Sequence, residues 1–211
     1  MKNAVQNKYC SPEAIKRLAL YLRGLKTLRG VNVKIISSED ITKILDVSAC
    51  QFRKDLSFFG GFGKRGVGYE VDVLSREIER ILGVNKNWPI ALVGVGKLGG
   101  ALLGFPGFSK FNLRILAAYD SDKKKIGKIV AGVKIEDVKK LKESIKEKKI
   151  KIGMICIPVE RVQKVAEDMV RAGIKAMLNF APVNININRK DVYISNMDMA
   201  AELESLIYFI K

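Results

Sequence analysis

Apolar residues near the start of the chain, Ile15, Leu18, Leu22 and Leu25, recur every three or four positions, and Lys16, Arg17, Arg23 and Lys26 fill the other face. This period predicts an amphipathic helix over 11–28, capped by Ser11 with Pro12 in its first turn. A second helix is expected from about Ser38 to Leu45, because a serine pair precedes Glu39 and Asp40 and acids suit a helix N-terminus. Only Asp46 and Val47 separate it from a third, opened by Ser48-Ala49-Cys50-Gln51. At that spacing a serine and a glutamine satisfy each other's end amides. Phe52 and Leu56 would then face inward, leaving Gln51, Arg53 and Lys54 outside. The pattern changes over Gly60–Tyr69, where glycines flank Lys64 and Arg65, and the alternation of Tyr69, Val71 and Val73 predicts a β-hairpin with two cations at its tip. A linking helix over Leu74–Leu82 and a hinge over 83–87 close this part, which is expected to form one domain over 1–84.

A different rhythm begins at Ile90–Val95, a continuous apolar run of the kind found in parallel strands buried on both faces. It enters Gly94-Val95-Gly96-Lys97-Leu98-Gly99 and then a helix opening with Gly100-Ala101-Leu102-Leu103. In a dinucleotide turn the first glycine makes the bend, the second admits a pyrophosphate to the backbone, and the third packs helix on strand. The helix N-terminus adds free amides and a positive dipole. A strand over 113–119 ends in Asp120, 26 residues beyond Gly94, where a ribose-binding carboxylate belongs. Such an acid repels a 2′-phosphate, favouring NAD(H) over NADP(H), while Lys123, Lys124 and Lys125 nearby leave that choice open. The bland alternative is a glycine turn without ligand. A helix over 135–147, a strand over 151–157, a helix over 159–172 and a strand over 175–180 complete an α/β domain expected over 85–195. Pro158, Asn179 and Phe180 fall at the C-terminal ends of strands and are candidates for the nicotinamide end of the pocket or simple turns. In the final segment, 196–211, Met199, Leu203, Leu206 and Ile210 make an apolar stripe that could be core of its own subunit or pack on a partner chain.

Composition narrows this. The net charge of +16 is spread, with 16 Lys and Arg against 9 Asp and Glu in residues 1–88 and 22 against 13 in residues 89–211. Much of the second share lies in 123–151, where a solvated helix face explains it better than a nucleic-acid arm. The three cysteines are far apart and the chain has no histidine, so neither a disulfide framework nor a zinc site is expected. No apolar run approaches the roughly 20 residues of a membrane span, and the first eight residues lack the apolar core of a signal peptide. A soluble, cytoplasmic protein without metal or membrane partner is expected.

Two short helices joined by a tight turn, the second presenting Gln51, Arg53 and Lys54, match a helix-turn-helix, with Ser48 at its start. The chemistry suits the major groove, where Arg pairs with guanine and Gln with adenine. A three-helix bundle with a charged face would show the same helices, and the glycine-flanked Lys64 and Arg65 tip the balance toward a winged helix whose wing meets phosphates or a minor groove.

With these motifs in order, RKDLSFFGGFGKRGVGY (Arg53–Tyr69), GVGKLGGAL (Gly94–Leu102), AAYDSD (Ala117–Asp122) and LNFAP (Leu178–Pro182), the chain closely resembles the redox-sensing transcriptional repressor Rex family from about Ser11 to Ile210. The resemblance implies a winged-helix domain, a Rossmann-type parallel-sheet domain and a C-terminal helix exchanged between the subunits of a homodimer. It implies a repressor that binds double-stranded operator DNA when NADH is scarce and releases it when NADH binds, with NAD⁺ a weaker ligand. It further implies a switch pairing Arg17 with Asp198 of the partner subunit. A position near the nicotinamide that is tyrosine in some relatives is Phe105 here, which lacks the hydroxyl but keeps an aromatic ring for packing.

The rival from another class is a small NAD-dependent dehydrogenase with an accessory helical domain. Against it stand the missing histidine, a common proton donor near neutrality, and the lack of chain for a substrate domain. A CoA- or nucleotide-binding module would share the sheet.

Overall fold

The computed structural model describes residues 10–64 and 66–210. The chain divides into two compact units, one ending at Asn85 and the other beginning at Lys86.

The first unit opens with α1 (Pro12–Gly30), where the Ser11 hydroxyl accepts from the Ala14 amide. Leu18, Leu22 and Leu25 are buried as the periodicity requires, but Ile15 is exposed. After β1 (Ile35–Ile36) comes α2 (Ser38–Thr42), shorter than expected and capped by Ser37 rather than by the serine after it. Turns carry the chain to α3 (Ala49–Ser57), capped by Ser48. Phe52 and Leu56 face inward, and Phe52 stacks edge-on against Tyr21 and Tyr69.

The hairpin is smaller than the alternation suggested. β2 (Tyr69–Glu70) pairs antiparallel with β1, and one further bridge joins Lys64 to Gly68. Val71 and Val73 are not strand, because α4 (Val71–Leu82) begins at once. Val71 is needed by the core, where it joins Leu74, Ile78, Leu18, Leu25 and Phe52. Helical spacing, not alternation, puts Val71, Leu74 and Ile78 on one face.

The second unit is a seven-stranded sheet. Its elements are β3 (Trp88–Val93), α5 (Lys97–Leu103), β4 (Leu113–Asp120), β5 (Ile129–Val130), β6 (Val133–Asp137), α6 (Leu141–Glu147), β7 (Ile152–Ile155), α7 (Val159–Ala172), β8 (Ala176–Asn179), β9 (Tyr193–Asn196) and α8 (Met199–Ile207). The order across the sheet is β5-β6-β4-β3-β7-β8-β9, all parallel except the β5–β6 pair. The parallel strands follow the dinucleotide-binding order, with the switch point between β3 and β7. The helix expected over 135–147 is therefore corrected. Its first three residues end β6, and only Leu141–Glu147 is α-helix. Ile135 is wanted in the sheet's core beside Ala118, and strand geometry reaches it there.

Alternation along β3 explains the two-sided burial. Ile90 and Leu92 pack on one face with Leu103, Ile115 and Met154. Ala91 and Val93 pack on the other with Tyr119, Ile145, Val162 and Ala166. The sheet thus has a helical layer on each side.

Candidate functional site

Two sites emerge, one in each unit. In the second, a cleft of about 530 Å³ opens at the switch point, lined by Gly94, Gly96, Asp120, Ser121, Lys125, Pro158 and Arg161 among others. The turn from β3 into α5 builds its floor. Gly94 has φ of 95°, a left-handed conformation, and a Cβ there would stand 2.3 Å from the Cys156 carbonyl oxygen. A Cβ on Gly99 would stand 1.9 Å from the Gly94 carbonyl oxygen, so that glycine lets helix and turn close on each other. Gly96 differs: a Cβ would meet nothing within 4 Å. The space above Gly96 is the approach a pyrophosphate needs, and the first-turn amides of Lys97, Leu98 and Gly99 have no intrahelical partner.

Asp120 ends β4 at the cleft wall and is buried. Its Oδ2 accepts from the Val95 amide at 2.9 Å and from Lys125 Nζ at 3.0 Å, and its Oδ1 accepts from the Asp122 amide at 2.9 Å. Burial alone would raise its pKa, but the Asp122 amide, the Lys125 ammonium and the Val95 amide outweigh it and hold the carboxyl below its ordinary value. The acid is thus ionised at neutral pH, with Oδ1 able to accept one more hydrogen bond. These residues fit a dinucleotide: an open glycine floor, free amides and a ribose-side carboxylate.

Among the other expected cofactor residues, Pro158 caps α7 and lines the cleft. Val95 is buried and contributes through its amide. Lys97 and Leu98 lie on α5 beside the cleft, their side chains outside its lining. Asn179 has no exposed surface and does not line the cleft. Its side-chain amide bonds the carbonyls of Ala181 and Val183 and the side chain of Asn196, bracing the loop after β8. Phe180 packs into the core beside Met154 and Leu178. Ser121 and Arg161 line the cleft without having been expected there. Lys125 was legible only as one of a lysine run, and Arg161, on α7, donates to the Ser121 hydroxyl at 3.3 Å. Phe105 follows α5, exposed, stacked edge-on against Phe108.

In the first unit, a concavity of about 560 Å³ lies between α3 and the hairpin, lined by Arg53, Ser57, Lys64, Gly66 and Tyr69 among others. The Gln51 amide donates to Ser48 Oγ at 3.1 Å, half of the expected capping box. The return bond is not made, because Gln51 Nε2 instead donates to Asp55 Oδ1 at 2.7 Å. Arg53 is exposed but engaged, donating to Ser38 Oγ at 2.6 Å and Glu39 Oε1 at 2.9 Å. Lys54 and Lys64 are exposed, without an ion-pair partner among the described residues. Arg65 lies outside the described residues.

Arg17 is half-buried on α1 and grips Asp55 of α3 through two hydrogen bonds, at 2.6 and 2.7 Å. Asp198 caps α8, accepting from the amides of Ala200 and Ala201. The stripe of α8 and the turn after it is not core of its own subunit: Met199, Leu203, Leu206 and Ile210 are all at least half exposed, with Ile210 at 83%. No described helix is long and apolar enough to cross a membrane.

Comparison with known proteins gives these sites a context. A family model described as a CoA binding domain matches residues 85–183, and one described as a putative DNA-binding protein N-terminus matches residues 11–57. The chain is 42% identical over 196 residues to the redox-sensing transcriptional repressor Rex of Chloroflexus aurantiacus, covering 93% of this chain and 92% of that one. It is 43% identical over 196 residues to Rex 1 of Thermotoga maritima, covering 92% and 93%. Among solved structures, it is similar to RSP in complex with NAD⁺ and operator DNA, with a TM-score of 0.89, 35% identity and coverage of 95% and 92%. RSP in complex with NADH matches with a TM-score of 0.85, 33% identity and coverage of 96% and 95%.

Proposed function

This chain belongs to the redox-sensing transcriptional repressor Rex family, and on that premise we propose that it represses transcription under control of NADH. It holds operator DNA when NADH is scarce and lets go when NADH binds, with NAD⁺ the weaker ligand. The observation that carries this is the presence in one chain of a helix-turn-helix with exposed cations and an open glycine-floored cleft at the switch point of a dinucleotide-binding sheet.

NADH acts as an effector, contributing binding energy and no hydride step. Gly94, Gly96 and Gly99 shape the floor, the first amides of α5 donate to the phosphates, and Asp120 accepts from a ribose hydroxyl. Pro158 borders the cleft where β7 gives way to α7. On the DNA side, Gln51, Arg53 and Lys54 face the major groove with Ser48 at the start of their helix, while Lys64 and Arg65 meet phosphates or the minor groove.

The protein works as a homodimer in which the exposed stripe of α8 packs on a second copy. In the switch the partner's Asp198 takes Arg17, which must then loosen its hold on Asp55. Phe105 contributes an aromatic face there and no hydroxyl. NADH shifts the balance only because it binds one arrangement of the dimer better than the other. Two half-site readers are sensitive to such a change through their spacing.

The test is fluorescence anisotropy of a labelled operator duplex, selected by the protein from a random-sequence library, at fixed salt. NADH should release the duplex at concentrations where NAD⁺ leaves it bound. Retention of the duplex at saturating NADH would sink the switch while leaving DNA binding intact.

A further inference from the structure

Asp55 has no exposed surface, and its only part so far is as the partner that Arg17 leaves in the switch. Its Oδ1 accepts from an Arg17 guanidinium nitrogen and from Gln51 Nε2, both at 2.7 Å. Its Oδ2 accepts from Arg17 Nε at 2.6 Å and from the Tyr21 hydroxyl at 2.7 Å. Every acceptor site of the carboxylate is thus filled. Three of those four bonds come from α1, and the fourth goes to a residue one turn back on the same helix.

We propose that Asp55 is a positioning residue for base readout, fixing the side-chain amide of Gln51 in one orientation before DNA arrives. The proposal rests on Gln51 facing the major groove. An ionised carboxylate only accepts, so Gln51 must turn its NH₂ group, not its carbonyl, toward Asp55. The carbonyl oxygen and the second N–H of Gln51 remain available. That acceptor and donor are the pair that matches the N6 and N7 edge of adenine. Tyr21, joined by Arg17 while the switch leaves it on Asp55, keeps the carboxylate itself from turning. Burial works against its ionisation, but Arg17, Tyr21 and Gln51 together hold its pKa below the ordinary value, so it stays an acceptor at neutral pH.

The ligand class read by this device is an adenine edge, and its N7 atom can be removed singly. The experiment uses the full-length protein, the selected operator duplex, and duplexes with 7-deazaadenine at each adenine in turn. A non-specific duplex at the same salt and a thermal melt of each variant accompany them. The wild type should lose about tenfold or more at one adenine per half-site, within the range of a bidentate contact, and Gln51→Ala should lose that sensitivity. Asp55→Asn keeps the shape but presents either an amide or a carbonyl to Gln51. It should keep non-specific binding while its penalty at that adenine falls to roughly threefold or less. A full penalty in Asp55→Asn, or equal losses on specific and non-specific DNA, overturns the proposal. Should Asp55→Asn fail to fold, Tyr21→Phe removes one anchor alone, and an undiminished penalty there overturns it equally. If Gln51→Ala keeps the wild-type penalty at every adenine, the assignment of Gln51 to the groove is wrong and the proposal falls with it.

Discussion

Replacing Gly96 by alanine separates ligand binding from folding. Its backbone is in an ordinary extended conformation, with φ of −81°, and a Cβ would meet no atom within 4 Å. The variant should therefore fold as well as the wild type, with a gain of up to about 0.4–1 kcal/mol from the stiffer unfolded chain. The new methyl, however, stands over the floor where a phosphate must come within about 2.7–2.9 Å of the α5 amides. Losing one such charge-assisted hydrogen bond removes about 1.5–3 kcal/mol, a roughly 10- to 150-fold weaker Kd for NADH. Gly99→Ala is the contrasting control. Its Cβ would lie 1.9 Å from the Gly94 carbonyl oxygen, a backbone atom, so α5 must shift. Overpacking of that kind costs about 1–3 kcal/mol, visible as a drop in Tm of several degrees. NADH fluorescence titration and thermal circular dichroism on both variants check the pair. A well-folded Gly96→Ala protein that binds NADH as tightly as the wild type would refute the passage of the dinucleotide over this turn.

Three further outcomes follow from the same structure. The folded pKa of Asp120 lies below its unfolded value of about 3.9, so its contribution to stability is complete above that pH and lost as pH falls through the folded value. Asp120→Asn should flatten the acid limb of the unfolding profile below about pH 4, and unchanged acid limbs would show that the carboxylate is not engaged. Burial pushes the Cys156 thiol up to about 11, so at pH 8 it should react with a thiol reagent more slowly than exposed Cys50, and more slowly still when NADH covers the cleft it lines. Rates indifferent to NADH would place the ligand elsewhere. Leu203 and Leu206 are 65% and 56% exposed, and their burial in a dimer contributes about 1.5–3 kcal/mol each. Leu203→Glu with Leu206→Glu should give a folded monomer by sedimentation, and a persisting dimer would mean α8 is not the interface.

What could be seen in the sequence depended on how long each periodic signal lasts. α7 is legible at both ends, because fourteen residues of helical period lie between Pro158 and Gly173. The glycine turn is legible because Gly94 and Gly99 answer separate steric demands of the turn while Gly96 leaves its floor open. β6 was hidden, since its five residues Val133–Asp137 include three charged or polar side chains and lead straight into a helical stretch. β9, Tyr193–Asn196, was missed for the same brevity. In α3, spacing correctly put Phe52 and Leu56 inside. It could not show that Asp55 lies fully buried between them, because an aspartate is seldom buried unless paired. Its partners Arg17 and Tyr21 come from α1, 38 and 34 residues away, a separation local patterns do not register. The same holds for Arg53, whose contact with Glu39 depends on how α2 meets α3.

The coupling between the two ligands is measured most directly by titrating NADH into the full-length protein by fluorescence, with and without saturating operator duplex. Linkage requires the operator to weaken NADH binding by the factor with which NADH weakens operator binding, commonly about 5- to 150-fold. Equal factors in the two directions are expected. An NADH affinity unchanged by the operator would contradict an NADH-controlled repressor, however well each ligand binds alone.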